Sequence, residues 1–556
     1  MKTQIQKLLS KATKIAEADI EVFVPQRESN GDLTTNVAMK LAGQLKKSPL
    51  VMAQEIKTKI KLPSFLAKIE IAKPGYLNFY FNNSVYFKNL QQVLKDKDNY
   101  GHSFHFKNKR IMIEFAHPNP FKVMHIGHLR NIVLGESLVR LFEAQSAKVI
   151  RANYQGDVGM HVAKCVWAMN KVSVNSFPTE TNDQVAFLGQ CYIEGAKAYE
   201  ENAKAKSEII EINRKIYEQT DKTINKLWLL GVKWSLDKFH QIYKRVDSYF
   251  DREYLESETL ELGFNYVNLA LKKGILQKSQ GALIFAGEKY DLDTRVFLNS
   301  QGFLTYEGKE LGLVYLKLKE FGKLDLHINN VAVEQKSFFS VVYKVEELLD
   351  PANFKGVNYH NAYEFVGLKS GKMSSRRGQV VTAESILNEA NKRIKKIVTK
   401  NKVKLTDKEI DFIAIGAVKY AYLKMSPFKY LAFDLDACVS FSGDSGPYLQ
   451  YTYARAMSIL RKNNPAQKSV QSKINSEEKQ LLQKLMQFEE TIISVTKSYS
   501  PNYLATYLNN LAQLFNNFYV KHKVQDNGFR LDLTAAVAQV IKNGLYLLGI
   551  QTLERM

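Results

Sequence analysis

The stretch HPNPFKVMHIGHLRN, residues 117–131, sets His125 and His128 around a glycine and behind two prolines. Imidazoles three residues apart face one side of a helix and can donate hydrogen bonds to a phosphoryl group. Gly127 leaves the backbone open to close approach by a nucleotide. If the stretch follows a strand and opens a helix, its backbone N–H groups and the helix dipole also attract phosphate. The chemistry this suits is attack by a carboxylate, already ionised at pH 7, on a phosphorus whose growing charge the imidazoles stabilise. A surface histidine pair, or half of a metal site, is the competing reading of the spacing alone.

A second stretch, GLKSGKMSSRRG at 367–378, is bounded by glycines and rich in cations and hydroxyls. Lys372 supplies a mobile point charge, and Ser374 and Ser375 supply donors, which suits closure over phosphates better than burial in a core. A basic surface loop is the alternative, and the presence of both stretches in one chain argues against it. The residues together define a nucleotide-phosphate site of His125, Gly127, His128, Lys372, Ser374 and Ser375, in which His125, His128 and Lys372 can stabilise developing charge. No protein-held metal is expected: Cys165, Cys191 and Cys438 show no C-x-x-C spacing, which excludes a thiolate zinc finger, and the histidine pair has no third ligand near it in sequence. The same cysteine usage points to a reducing compartment.

These groups need a scaffold that holds them at one place. From Arg110, IMIEFA reads as a buried strand, Leu129 to Phe142 as a helix and Val149 to Ala152 as a second strand. Strand, helix, strand in one short span is a βαβ unit, so a Rossmann-type parallel sheet is expected, with its ligand at the strand ends. Residues 160 to 290 read as a mostly helical insertion. Residues 1 to about 100 combine helical segments with IEIAKPGYLNFYF (69–81), a pair of apolar runs around a Pro-Gly turn, and predict a small α+β domain. Beyond about residue 395 the pattern is all helix, with Leu504, Tyr507, Leu508, Leu511, Phe515 and Phe518 as one apolar stripe and 463–478 as a polar connector.

Composition narrows the partners. The 556 residues are 45% hydrophobic and 24% charged, which describes a globular chain of several domains. The net charge of +22 favours a polyanionic partner, nucleic acid first, over a lysine bias kept for solubility. No segment is long and apolar enough to span a membrane. The Lys-rich opening MKTQIQKLLSKATKIA reads as an amphipathic helix, with a transit peptide as rival.

HIGH (125–128) followed by KMSSR (372–376) resembles the class I aminoacyl-tRNA synthetases, and nearly the whole chain resembles the arginyl-tRNA synthetase family. GDLTTNVAMKLAGQLKKSPLVMAQEI with PGYLNFYF is similar to the amino-terminal domain of that family. EFAHPNPFKVMHIGHLRN with NYQGDVG (153–159) is similar to its signature region. GPYLQYTYARAMSILRK (446–462) and GLYLLGIQTLERM are similar to its helical anticodon-binding domain. The resemblance implies a multidomain α/β protein: an N-terminal tRNA-interacting domain at 1–100, a catalytic domain at 101–395 and a helical anticodon-binding domain at 396–556. It implies activation of L-arginine with ATP and Mg²⁺ and transfer to tRNA(Arg), by a cytoplasmic monomer. Asn119, Tyr306, Glu310 and Gln335 are implied to bind arginine. His117 stands where many members have serine, and Glu310 where the family has aspartate. Tyr448, Tyr451, Tyr453 and Arg455, with the basic run from Lys392 to Lys404, offer rings and cations suited to unpaired bases and phosphates, a solvated helix face being the alternative. A ligase for another amino acid would have no use for a carboxylate at Glu310, and a non-catalytic RNA-binding protein none for both phosphate loops.

Overall fold

The structure is a computed structural model that describes residues 1–25, 27–369, 381–463, 474–525 and 527–556. Lys372, Ser374 and Ser375, and most of the 463–478 connector, lie outside the described residues. The chain forms two compact units.

The first unit comprises Met1–Tyr100, Ile459–Phe488 and Gln513–Val540. Its antiparallel sheet has Tyr76–Phe81 between Leu33–Thr35 and Leu66–Ala72, with Ile69 opposite Phe79. The two apolar runs around Pro74 and Gly75 pair as the turn chemistry predicts. Helices Lys2–Thr13, Val37–Leu45, Pro49–Lys59 and Asn83–Asp96 complete the α+β fold.

The second unit comprises Gly101–Ser458, Glu489–Ala512 and Ile541–Met556. At its centre is a wholly parallel sheet of β1 (Arg110–Glu114), β2 (Lys148–Gln155), β3 (Arg252–Leu255), β4 (Leu326–Asn329) and β5 (Asn358–His360), in the order β5-β4-β1-β2-β3. Ile111, Met112 and Ile113 are essentially inaccessible, as a strand covered on both faces must be. Helix α1 (Ile126–Glu143) follows β1 and is buried on every side from Leu129 to Phe142. Gly135 is required there, because an added Cβ would lie 2.3 Å from the Phe115 ring.

The polar groups of α1 find partners far along the chain. Arg130 donates to the carbonyls of Phe365, Pro427 and Lys429 at 2.7, 3.3 and 3.2 Å. Ser137 Oγ donates to Leu547 O at 3.0 Å and Arg140 to Tyr546 O at 3.1 Å, while Lys419 Nζ reaches Gly549 O at 2.6 Å. The segment 546–549 thus straps across the far end of α1.

Two expectations need correction. The insertion is helical from Met160 to Arg245, but Arg252–Leu255 is the edge strand β3 of the parallel sheet, and Gln277–Ser279, Ala282–Phe285 and Arg295–Leu298 form an antiparallel sheet. These strands are too short to carry a period, and what selects them is pairing with an existing edge and burial of Tyr254, Phe285 and Phe297. Leu431–Phe433, in the region expected to be all helix, pairs parallel with Val366–Leu368. The remaining C-terminal segments are helices, and the stripe from Leu504 to Phe518 is buried as its spacing requires.

Candidate active site

The carboxyl ends of β1, β2, β3 and β4 converge, as ligand sites in open α/β sheets do. After β1 the chain turns through left-handed backbone at Ala116, His117 and Phe121 (φ 82°, 53° and 65°) before α1 begins. Such conformations in non-glycine residues persist where surrounding contacts hold them. Here Asn131 Oδ1 accepts from Ala116 N–H at 2.9 Å and Asn153 Oδ1 from His117 N–H at 3.0 Å.

His125 caps α1. Its Nδ1 accepts from Gly127 N–H at 3.0 Å, and His128 Nδ1 accepts from His125 N–H at 3.1 Å, with the two rings 3.8 Å apart. Each ring nitrogen that accepts a backbone N–H places the proton of the neutral imidazole on Nε2, so both histidines carry an Nε2–H donor. Burial holds both imidazoles neutral, pushing His128 down to about 3, and the Lys122 ammonium adds to the effect. The role of Gly127 differs from simple access for a nucleotide: an added Cβ would stand 2.8 Å from His125 Cε1, so the glycine makes room for the ring. Two backbone donors, of His125 and Gly127, are likewise already engaged by the rings. On the other flank, Ile126 N–H donates to Val381 O at 3.1 Å and Ala383 N–H to Met124 O at 2.9 Å. The chain emerging from the 370–380 segment is therefore fixed against the HIGH turn.

The second half of the site is acidic. Glu310 lies in α2 (Tyr306–Phe321), is 6% exposed, and among the described residues has no hydrogen bond or ion pair. Burial pushes its carboxyl up to about 8; Lys317 opposes the shift, and Glu114 and Glu256 reinforce it. Tyr306, one turn before it, is 70% exposed, with Lys309 Nζ 5.2 Å from its ring centre. Around Glu310 the charges are paired: Glu114 with Lys317, and Lys309 Nζ with Glu256 Oε2 at 2.8 Å. Burial raises Glu114, but the Lys317 ammonium outweighs it and holds the carboxyl at about 2. Asn329 Nδ2 donates to Glu114 Oε1 at 3.1 Å.

Asn119 Oδ1 accepts from Gly156 N–H at 2.8 Å, which leaves its Nδ2 as the donor end of the side chain. Gln335 is exposed at the cap of the Lys336–Leu349 helix, beyond the end of β4. Far from this cluster in sequence, Arg455 stacks on Tyr451, guanidinium to ring centre 4.9 Å, with a 3.3 Å bond to its hydroxyl. Tyr448 is half-buried beside them on the Gly446–Lys462 helix. Tyr453 is corrected: it is 6% exposed, at core spacing from Leu449, and presents no ring to a base. In the basic run Lys392, Lys396, Lys400, Lys402 and Lys404 are exposed, while Arg393 and Lys395 pair with Glu389 and Asp407.

Several groups escaped the sequence reading. The Lys122 ammonium faces His125, His128, His161 and Glu256, three positions before HIGH, where its sign and nearness were the available signal. Glu114, Glu256, Lys309 and Lys317 carried no usable signal, because their partners lie on other strands and helices.

Comparison with known proteins accords with this geometry. Residues 89–435 match the family model described as tRNA synthetases class I (R), catalytic domain, residues 449–556 the DALR anticodon binding domain, and residues 1–81 the arginyl tRNA synthetase N terminal domain. The arginine–tRNA ligase of Borreliella afzelii is 33% identical, over 99% of this chain and 96% of its own. That of Halothermothrix orenii is 30% identical, over 98% and 96%. Among solved structures, Thermus thermophilus arginyl-tRNA synthetase superposes with a TM-score of 0.82 at 25% identity, over 100% of both chains.

Proposed function

Since the chain belongs to the arginyl-tRNA synthetase family, and so ligates L-arginine to tRNA(Arg) with ATP, we propose how its own residues divide that work. His125 and His128 donate through Nε2 to the α-phosphate as the arginine carboxylate attacks phosphorus and pyrophosphate leaves. Lys122, and Lys372 with Ser374 and Ser375, hold the departing phosphates, and Gly127 keeps the His125 ring in place. Both imidazoles are neutral and carry their proton on Nε2, so they stabilise charge without moving a proton. Pairing of Val381 and Ala383 with the HIGH turn supports joint action of the two phosphate loops. Mg²⁺ fits as a companion of the ATP phosphates: the groups on this flank are N–H donors, and among the described residues no three metal-ligating side chains converge.

The observation that carries the amino-acid assignment is Glu310, a buried carboxyl with no bond to it among the described residues. A guanidinium is planar, permanently charged and offers paired donors, which such a carboxylate can accept. Glu114 is already neutralised by Lys317, leaving Glu310 as the receptor. Tyr306 covers the guanidinium, and Asn119 and Gln335 take the backbone end of the amino acid. Tyr448, Tyr451 and Arg455 contact the anticodon arm. The catalytic domain extends over 101–395 between tRNA-binding domains at 1–100 and 396–556, and the chain acts as a cytoplasmic monomer.

The test is arginine-dependent ATP–pyrophosphate exchange with tRNA(Arg) present. Glu310→Gln keeps size but deletes the charge, and should lower kcat/KM for arginine by about 10²- to 10³-fold with ATP KM preserved, the usual consequence of unpairing a buried ion. Unchanged discrimination between arginine and citrulline would assign specificity to another residue.

A further inference from the structure

The turn that carries the two imidazoles is gripped by one face of a helix distant from it in sequence. In the Lys222–Arg245 helix, Gly231, Ser235 and Lys238 lie at i, i+4 and i+7 and so share a face. Ser235 Oγ accepts from Phe121 N–H at 2.9 Å. An added Cβ at Gly231 would stand 2.2 Å from Phe121 Cε1, so the ring rests on bare backbone there. These contacts fix the chain just before the HIGH turn, at a residue held in left-handed backbone (φ 65°).

One turn further along the same face, Lys238 is 8% exposed, and its ammonium donates to Glu384 Oε1 at 2.8 Å and to Asn182 Oδ1 at 2.7 Å. A cation withdrawn from water needs such partners. Glu384 lies in the first turn of the Ala383–Lys400 helix, directly after the residues that pair with the HIGH turn. There Ile126 N–H donates to Val381 O, Ala383 N–H donates to Met124 O, and Thr382 bridges to His125. The contacts form a closed circuit: from the helix face to Phe121, along the chain to the HIGH turn, across to 381–383, and through Glu384 back to the same face at Lys238. Either arm alone leaves the turn held on one flank, and the two together fix both.

Resting on the reading above that His125 and His128 donate to the α-phosphate, we propose that Lys238 is a positioning residue for arginine activation: by drawing Glu384 onto the helix face that grips Phe121, it holds the 381–383 backbone against the HIGH turn and sets the two imidazoles. Lys238 itself touches no substrate. A displacement of about 1 Å at the reacting groups can cost about 10²-fold in rate, so its contribution belongs to kcat rather than to binding.

The experiment is ATP–pyrophosphate exchange on the full chain with tRNA(Arg) present. Lys238→Met keeps the stem and deletes the ammonium; kcat should fall by about 10- to 10²-fold while the KM values for arginine and ATP stay within about threefold of the parent. The exchanged pair, Lys238→Glu with Glu384→Lys, restores the contact in reverse, since the Asn182 amide can present Nδ2 in place of Oδ1, and should return kcat to within about threefold of the parent. In the His125→Ala background, Lys238→Met should cost at least about threefold less than in the parent, because part of what it positions is gone. An unchanged kcat in Lys238→Met, an exchanged pair as slow as Lys238→Met, or full multiplication of the losses at His125 and Lys238 overturns the proposal, the last being the mark of an independent structural role. His128→Ala is the control for the underlying reading. If it leaves activation unchanged, the imidazoles are not the phosphate donors, an outcome distinct from failure at Lys238.

Discussion

At the scale of single residues, the site works through protonation states fixed before substrate arrives. His128 is a neutral Nε2–H donor, so His128→Ala should slow arginine activation by about 10²- to 10³-fold, as loss of one transition-state donor does. Filter binding of tRNA(Arg) should be unaffected, and equal loss of both would mark a folding defect. Glu310 makes the opposite use of burial. Pushed up to about 8, its carboxyl is largely protonated at pH 7 in the free site and, on the assignment proposed above, must ionise to receive a guanidinium. Arginine binding at neutral pH therefore releases a proton, and affinity should gain roughly tenfold per pH unit up to about 8, then level off. The sign for stability is reversed: a carboxyl raised above its unfolded value favours the fold at low pH, and that contribution is lost as pH rises through about 8. Calorimetry of arginine binding in buffers of different ionisation enthalpy measures the proton directly, and a flat profile between pH 6 and 8 would reject the mechanism.

At the scale of elements, α1 shows how one helix serves both chemistry and architecture. Gly127 and Gly135 lie on it two turns apart and exclude a side chain for different reasons. Gly127→Ala presses on the His125 ring, the end of a side chain that can swing, so kcat should fall at least tenfold with Tm nearly unchanged. Gly135→Ala drives a methyl into Phe115 in the core and should cost about 1–3 kcal/mol, read by denaturant melting. The start of α1, the βαβ unit and the helical stripe at 504–518 are plain in the sequence, because each expresses a strong period or a glycine at a special place. Glu310 is not. Flanked by Lys309 and Lys317, it has the local pattern of a solvated amphipathic helix, and only the resemblance singles it out. Its burial depends on Glu256 and Glu114, which come from strand ends distant in sequence and neutralise those two lysines. Tyr453 shows the reverse error: its aromatic character suggested a ligand, while its spacing from Leu449 already placed it in the core.

At the scale of the whole molecule, the net charge of +22 and the exposed lysines from Lys392 to Lys404 predict tRNA affinity that falls steeply with salt, because each neutralised phosphate releases counterions. A fluorescence titration between about 50 and 200 mM salt should show losses of 10³-fold or more if six or more phosphates are contacted, and a slope near zero would remove the electrostatic grip. The strap across the far end of α1 bears on the birth of the protein. Ser137 waits for a carbonyl 410 positions downstream. At ordinary elongation rates, about 5–20 residues per second, that residue leaves the ribosome some 20–80 seconds after Ser137 does. Throughout that interval the Ser137 hydroxyl lacks its carbonyl acceptor, whereas Arg140 can already pair with Glu136 and Asp247. The strap over the far end of α1 can therefore form only after residues 546–549 have emerged.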